Sequence, residues 1–142
     1  MTRFFNFILV LGYACLGTGS IAEARELKVN SDTKTVSLGK DLRYLEDPQG
    51  NMSLEMFLSA ENQKNLRSSE SDTPSFGFTK SAYWFSVDLT NQSEKVQEFL
   101  LEFDYPHLDD LKVYWLDNNK LIREQQLGDH LLFDERPLKH PN

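Results

Sequence analysis

From Ser81 to Thr90 the chain reads SAYWFSVDLT, and its two sides differ. Tyr83, Phe85, Val87 and Leu89 fall on one side, and Trp84, Ser86, Asp88 and Thr90 on the other. That period of two marks a half-buried strand. Asn91 to Lys95 is a polar turn, and VQEFLLEF over 96–103 follows with Phe99, Leu101 and Phe103 on a common face. Tyr105-Pro106-His107 breaks this ladder, because proline has no N–H to donate. LKVYWL over 111–116 predicts a further strand with Leu111, Val113 and Trp115 inward. Asp117-Asn118-Asn119-Lys120 has the chemistry of a hairpin turn leading into LIREQQL over 121–127, which Gly128-Asp129 ends. Upstream, 27–29 and 35–38 read as two shorter strands.

One helical piece interrupts the strands. Ser53 is suited to cap it, with Leu54, Phe57 and Leu58 at helical spacing. Residues 61–75 (ENQKNLRSSESDTPS) read as a polar connection, mobile over Ser68 to Thr73. Short strands separated by turns predict a mainly β, antiparallel sandwich with one short helix.

The N-terminus carries a different pattern. Arg3 precedes an apolar run from Phe4 to Leu16, broken only by Asn6. Gly17-Thr18-Gly19-Ser20 follows, and Ala22-Glu23-Ala24 supplies a small-x-small cleavage site. These three parts in this order predict a signal peptide over 1–24, with cleavage after Ala24. The run is short of the roughly 20 residues that span a bilayer, which disfavours an uncleaved anchor. Lipid attachment at Cys15 is disfavoured by Tyr13, which stands where a small residue is wanted. The working domain is then 25–142, in the periplasm or on the outer face of a Gram-negative inner membrane.

Charge and cysteine content narrow the function classes. The formal net charge is −7, and Arg3 and Glu23 cancel, so processing leaves it unchanged. An acidic domain lacks the basic footprint that nucleic acid or anionic lipid requires, so neither is expected as a partner. Cys15 is the only cysteine and lies in the leader, so the domain holds together by packing without disulfides.

Short pieces in a fixed order then carry a family resemblance. They are Leu42-Arg43-Tyr44-Leu45-Glu46-Asp47, Phe76-Gly77-Phe78, Tyr83-Trp84-Phe85 with Leu89-Thr90-Asn91, Asp104-Tyr105-Pro106-His107-Leu108-Asp109, Gly128-Asp129, and Glu135-Arg136-Pro137-Leu138-Lys139-His140. Together they resemble the second type of extracellular domain in bacterial seven-transmembrane receptors with diverse intracellular signalling modules. The resemblance implies a jelly-roll-like β-sandwich that senses a ligand outside the membrane. Fold analogy with carbohydrate-binding modules points to sugars as the ligand class. Family members continue past the Glu-Arg-Pro segment into more strands, then membrane helices and an output domain. The strand pattern here gives about six, against roughly seven to nine in immunoglobulin-like sandwiches. The sandwich is therefore expected to be incomplete at its C-terminal end, with the output module absent from these residues and the membrane partner reached only through a missing receptor portion.

Trp84 stands on the polar side of its strand, with Asp88, and Tyr114 beside Lys112 takes the corresponding side of the later strand. These four are the predicted ligand contacts: aromatic rings to stack on a sugar, charged groups to bind hydroxyls at its edge. The competing reading, favoured on aromatic burial, packs Trp84 under the Ser53 helix or the N-terminal segment. Asp104 to Asp110 places carboxylates near a histidine, but Asp and Pro at a strand connection are ordinary turn chemistry. His107, His130 and His140 lack metal-ligand spacing, and no nucleophile elbow or phosphate loop occurs. No cofactor, metal or catalytic residue is expected. Two other classes stand beside the sensor. One is a secreted adhesion or assembly module that binds protein, or a second copy as a dimer, through an open sheet edge. The other is a carbohydrate-acting enzyme using Asp109, Asp110 or Glu102.

Overall fold

The computed structural model describes residues 4–12 (as backbone), 26–103 and 109–128. The expectations for Cys15, the Ala22–Ala24 cleavage site, the Tyr105-Pro106-His107 bend, His130 and the segment from Glu135 to His140 lie outside the described residues. The elements are β1 (Phe4–Gly12), β2 (Glu26–Val29), a 3-10 turn (Gly39–Asp41), β3 (Arg43–Asp47), α1 (Leu54–Leu58), α2 (Ala60–Lys64), β4 (Arg67–Ser68), β5 (Ala82–Asn91), β6 (Leu111–Asp117) and β7 (Lys120–Leu127). The protein is mainly β, as its pattern predicts, and its strands form one curled sheet.

The sheet runs β4-β3-β5-β1-β6-β7, with β2 beside β3 on the same side of β5. Its pairs are antiparallel apart from β2 with β5, which is parallel. β5 is the organising strand. Its odd residues face one core cluster, in which Tyr83, Phe85 and Val87 join Leu42, Leu111 and Val113. Phe76 stacks on Tyr83 with ring centroids 4.4 Å apart, and Leu101 and Phe103 also pack on this cluster. Trp84 faces a second cluster with Phe57, Leu66, Tyr114 and Leu116. β5 and β6 are thus covered on both faces, where the sequence pattern indicated one.

β6 and β7 form the predicted hairpin. Asn118 (φ 49°) and Asn119 (φ 61°) both take left-handed backbone at the turn, the geometry a two-residue type I′ connection demands. The register slips between Trp115 and Leu116, which leaves Ile122 as the extra residue of a bulge. Trp115 then receives the Arg123 guanidinium over its ring at 5.2 Å.

Three expectations changed on contact with the structure. Residues 96–103 do not form a strand. Leu101 and Phe103 reach the core, but no neighbouring strand among the described residues accepts the ladder, and Leu100 remains 78% exposed. Residues 35–38 likewise run without a pairing strand. The connection after α1 is more ordered than its polarity indicated. Ser59 ends α1 in extended backbone and caps α2, accepting from the Asn62 N–H. Further on, the Ser69 N–H donates to the Leu42 carbonyl, and Lys40 pairs with Asp72 at 2.6 Å. Gly39 is buried where this segment crosses, and a Cβ there would stand 1.9 Å from the Asp72 carbonyl oxygen.

Phe4–Gly12, which sequence assigns to the leader, is a nine-residue strand in the middle of the sheet. It pairs with β5 from Phe4↔Thr90 to Gly12↔Ala82, and with β6 from Asn6↔Leu116 to Val10↔Lys112. An uncharged apolar run of this length has the composition of a strand covered on both faces.

Candidate functional site

The sheet face that carries Trp84 is built by alternation. Arg43 and Leu45 of β3 stand opposite Ser86 and Trp84 of β5, so β3 brings a cation and an aliphatic onto the face that Asp88 shares. Ser53 starts α1 by accepting the Met56 N–H at 3.2 Å and donating to Glu55 at 2.8 Å. That cap turns the chain so that Phe57, fully buried, lies over the Trp84 ring with centroids 5.1 Å apart. Asp47 aims the approach to α1. The residue is 4% exposed, and its carboxylate accepts from the Gly50 N–H at 3.0 Å and the Met52 N–H at 2.8 Å, closing a turn in which Gly50 has φ +63°.

The four predicted contacts share this face without forming one constellation. Trp84 and Tyr114 meet, with centroids 5.9 Å apart and planes 5° off parallel. Both are buried, at 4% and 7% exposure, in the packing that the competing reading described. Asp88 lies four residues along β5 from Trp84, about 13 Å at strand spacing. It accepts a charge-assisted hydrogen bond from the Arg43 guanidinium at 2.7 Å, and the two side chains are 26% and 18% exposed. Lys112 is exposed on β6 and stands opposite Gln126 of β7.

Burial, with the charge and hydrogen bond of Glu124 on β7 adding to it, pushes the Tyr114 hydroxyl above its ordinary pKa. The Ser86 hydroxyl, between the ion pair and the aromatic stack, is buried without a hydrogen-bond partner among the described residues. At the edge beside β2, Thr90 donates to the Glu26 carboxylate.

Sequence reasoning singled out Asp88 but not its partner. Arg43 occurs in the first resemblance piece, and its register opposite Ser86 brings it within reach of Asp88. Other residues of the resemblance pieces do structural work. Tyr44 packs edge-on to Phe76 at 4.9 Å, and Glu46 accepts from the Ser81 hydroxyl at 2.7 Å. Of the carboxylates considered for hydrolysis, Glu102, Asp109 and Asp110 are all exposed, and Asp110 accepts from Gln126. Among the described residues no group of three His, Cys, Asp or Glu could hold a metal ion. No helix there is long and apolar enough to cross a membrane.

No curated protein and no solved structure matched the chain. The family model described as 7TMR-DISM extracellular 2 matches residues 39–142, from the Gly39 crossing through the described β7 hairpin to the last residue. That span covers well over half of the chain, and its family is a receptor extracellular domain family rather than an enzyme family. The chain belongs to the 7TMR-DISM extracellular 2 family, the extracellular sensor-type domains of seven-transmembrane receptors.

Proposed function

We propose that this domain is a non-enzymatic ligand-binding sensor, exported by a leader cleaved after Ala24 and working in the periplasm, with carbohydrate as the ligand class. Its family membership over residues 39–142 carries the reading. The contacts are proposed on the sheet face described above. The partly exposed Arg43–Asp88 pair and the exposed Lys112 present hydrogen-bonding charge to hydroxyl groups. Trp84 and Tyr114 form the wall beneath α1, and Phe57 occupies the position over Trp84 that a sugar ring would take. A ligand stacking on Trp84 therefore displaces α1, and that displacement is the conformational change passed to the membrane portion of the receptor. The strand formed by Phe4–Gly12 belongs to the unprocessed chain in this reading.

The test is thermal unfolding with a panel of mono- and oligosaccharides. A ligand present at 100 times its Kd adds about 2.7 kcal/mol of stability. The reading expects a sugar to raise the melting temperature of the parent and not of Asp88→Asn or Lys112→Ala. A panel without effect, or equal shifts in all three proteins, contradicts it. A second reading, a module that binds protein or a second copy through a sheet edge, is supported by β7. That strand ends the sheet order and exposes Leu121 and Ile122, though its bulge and its charged Arg123 and Glu124 act against edge pairing.

A further inference from the structure

Apart from Phe57, the most deeply buried of the described residues lie on β5 and β6: Phe85, Val113 and Leu116 are 0% exposed and Val87 is 1%. Among the described residues these two strands do not pair with each other. They are joined through β1, which matches β5 at nine positions and β6 at five, antiparallel to both. The other pairings hold the sheet in two parts, β2-β3-β4-β5 and the β6–β7 hairpin. β1 precedes every other described element, and residues 13–25 separate it from β2. Without an occupant, the facing edges of β5 and β6 would present unpaired N–H and C=O groups beside buried apolar side chains, a costly arrangement.

We propose that the space between β5 and β6 is a strand-acceptor site for an extended, uncharged apolar polypeptide segment. The occupant seen in it defines the chemistry: FFNFILVLG has no charge and no proline, and its nine residues pair with nine of the ten residues of β5. Recognition is by backbone hydrogen bonds on both sides, the β-augmentation mode doubled. Residues 4–12 fill the site in the unprocessed chain, and their removal opens it to a segment of the same chemistry from another polypeptide. This proposal concerns the sheet alone, and its outcome is read independently of any sugar binding.

The experiment uses the full chain with a site-specific protease site placed within residues 13–24, folded first and nicked afterwards. The probe is a fluorescein-labelled synthetic peptide of residues 4–12, with its Ile8→Pro form as control. The expected result is that the N-terminal fragment stays with the body on size exclusion and exchanges for the labelled peptide. Amides of β5 and β6 should be protected while the site is filled and exchange faster once it is emptied. The Ile8→Pro peptide should bind at least about tenfold more weakly, because proline removes a ladder hydrogen bond. Release of the fragment from a body whose β5 and β6 amides stay protected would overturn the proposal. So would a body that dimerises and is not dissociated by the peptide, or one that precipitates equally with and without it.

Discussion

Phe57 lies over the Trp84 ring with centroids 5.1 Å apart and planes 20° from parallel, so this aromatic contact anchors a five-residue helix on the central sheet, with Leu54 and Leu58 packed on the same cluster. Trp84→Ala removes the ring on which both Phe57 and Tyr114 pack, and is expected to cost about 3–5 kcal/mol. Phe57→Ala should cost a similar amount. Because the rings share a contact, the double variant should cost less than the two singles added, by about 0.5–3 kcal/mol. Urea unfolding of the four proteins measures this coupling, and strict additivity would show that the rings do not support each other.

The same relationship explains what was legible in the sequence. Alternation over 81–90 located β5 and assigned Tyr83, Phe85 and Val87 to a core, because that side of the strand is almost wholly apolar. It also isolated Trp84 on the other side, but period says nothing about what lies above a face. Phe57 comes from a helix distant in sequence, and only the fold shows that it covers the ring. β3 left no period-two signature because Tyr44 points to one core cluster and Leu45 to the other. For 96–103 the error ran the other way. The apolar pattern is present, but a strand also needs a paired neighbour, and pattern does not supply one. Asn118-Asn119 was readable because the left-handed turn it forms is set by local chemistry alone.

The Arg43–Asp88 pair makes the next prediction. Both side chains are mostly covered, so removing one partner strands the other in a partly desolvated setting. Asp88→Asn is expected to destabilise by about 1.5–3 kcal/mol, the range for hydrogen bonds to charged groups. Raising the salt concentration should reduce the difference between parent and variant only slightly, since the pair is partly shielded from ions. Chemical denaturation with urea at low and high salt checks both, and a difference that vanishes in salt would place the pair at the open surface.

The Ser53 cap is expected to contribute independently. Ser53→Ala leaves the Met56 N–H without its acceptor and should cost about 0.5–2 kcal/mol, whereas Ser53→Asp should be close to neutral. Since α1 carries Phe57, the alanine variant should also raise the exposure of Trp84. A red shift of tryptophan emission in Ser53→Ala but not in Ser53→Asp reports it. Equal spectra in the two variants would mean that the aromatic contact holds α1 without its cap.

Two glycines are fixed by close approach. At Gly128, φ is +120° and a Cβ would stand 2.3 Å from the Asp109 carbonyl oxygen, so alanine is both strained and crowded there. Gly128→Ala is expected to destabilise by about 1–3 kcal/mol. Gly39→Ala should cost at least as much, since a Cβ there would come closer still to backbone, 1.9 Å from the Asp72 carbonyl oxygen. Gly50, with positive φ but open space around it, is the control for conformation without crowding, and its alanine variant should be the mildest of the three. Melting temperatures in that order bear out the argument, and the reverse order contradicts it.

The last prediction follows from Tyr114. Burial, reinforced by Glu124, raises its hydroxyl pKa above the ordinary value of 10.0. The native state therefore keeps its proton at pH values where the unfolded chain has begun to lose it. Between the unfolded and the native pKa the native state binds more protons, and linkage then requires stability to fall as pH rises. The contribution of Tyr114 is complete below pH 10.0 and is lost as pH climbs through the native value. Tyr114→Phe keeps the ring that stacks on Trp84 and removes only the titrating group. The stability difference between parent and variant should therefore be constant from neutral to mildly alkaline pH and then shift against the parent. Other tyrosines and lysines titrate in both proteins and cancel in the difference. Urea midpoints for the two proteins along an alkaline series measure it, and a difference that stays flat throughout would mean that the folded protein leaves the Tyr114 hydroxyl as free to ionise as the unfolded chain does.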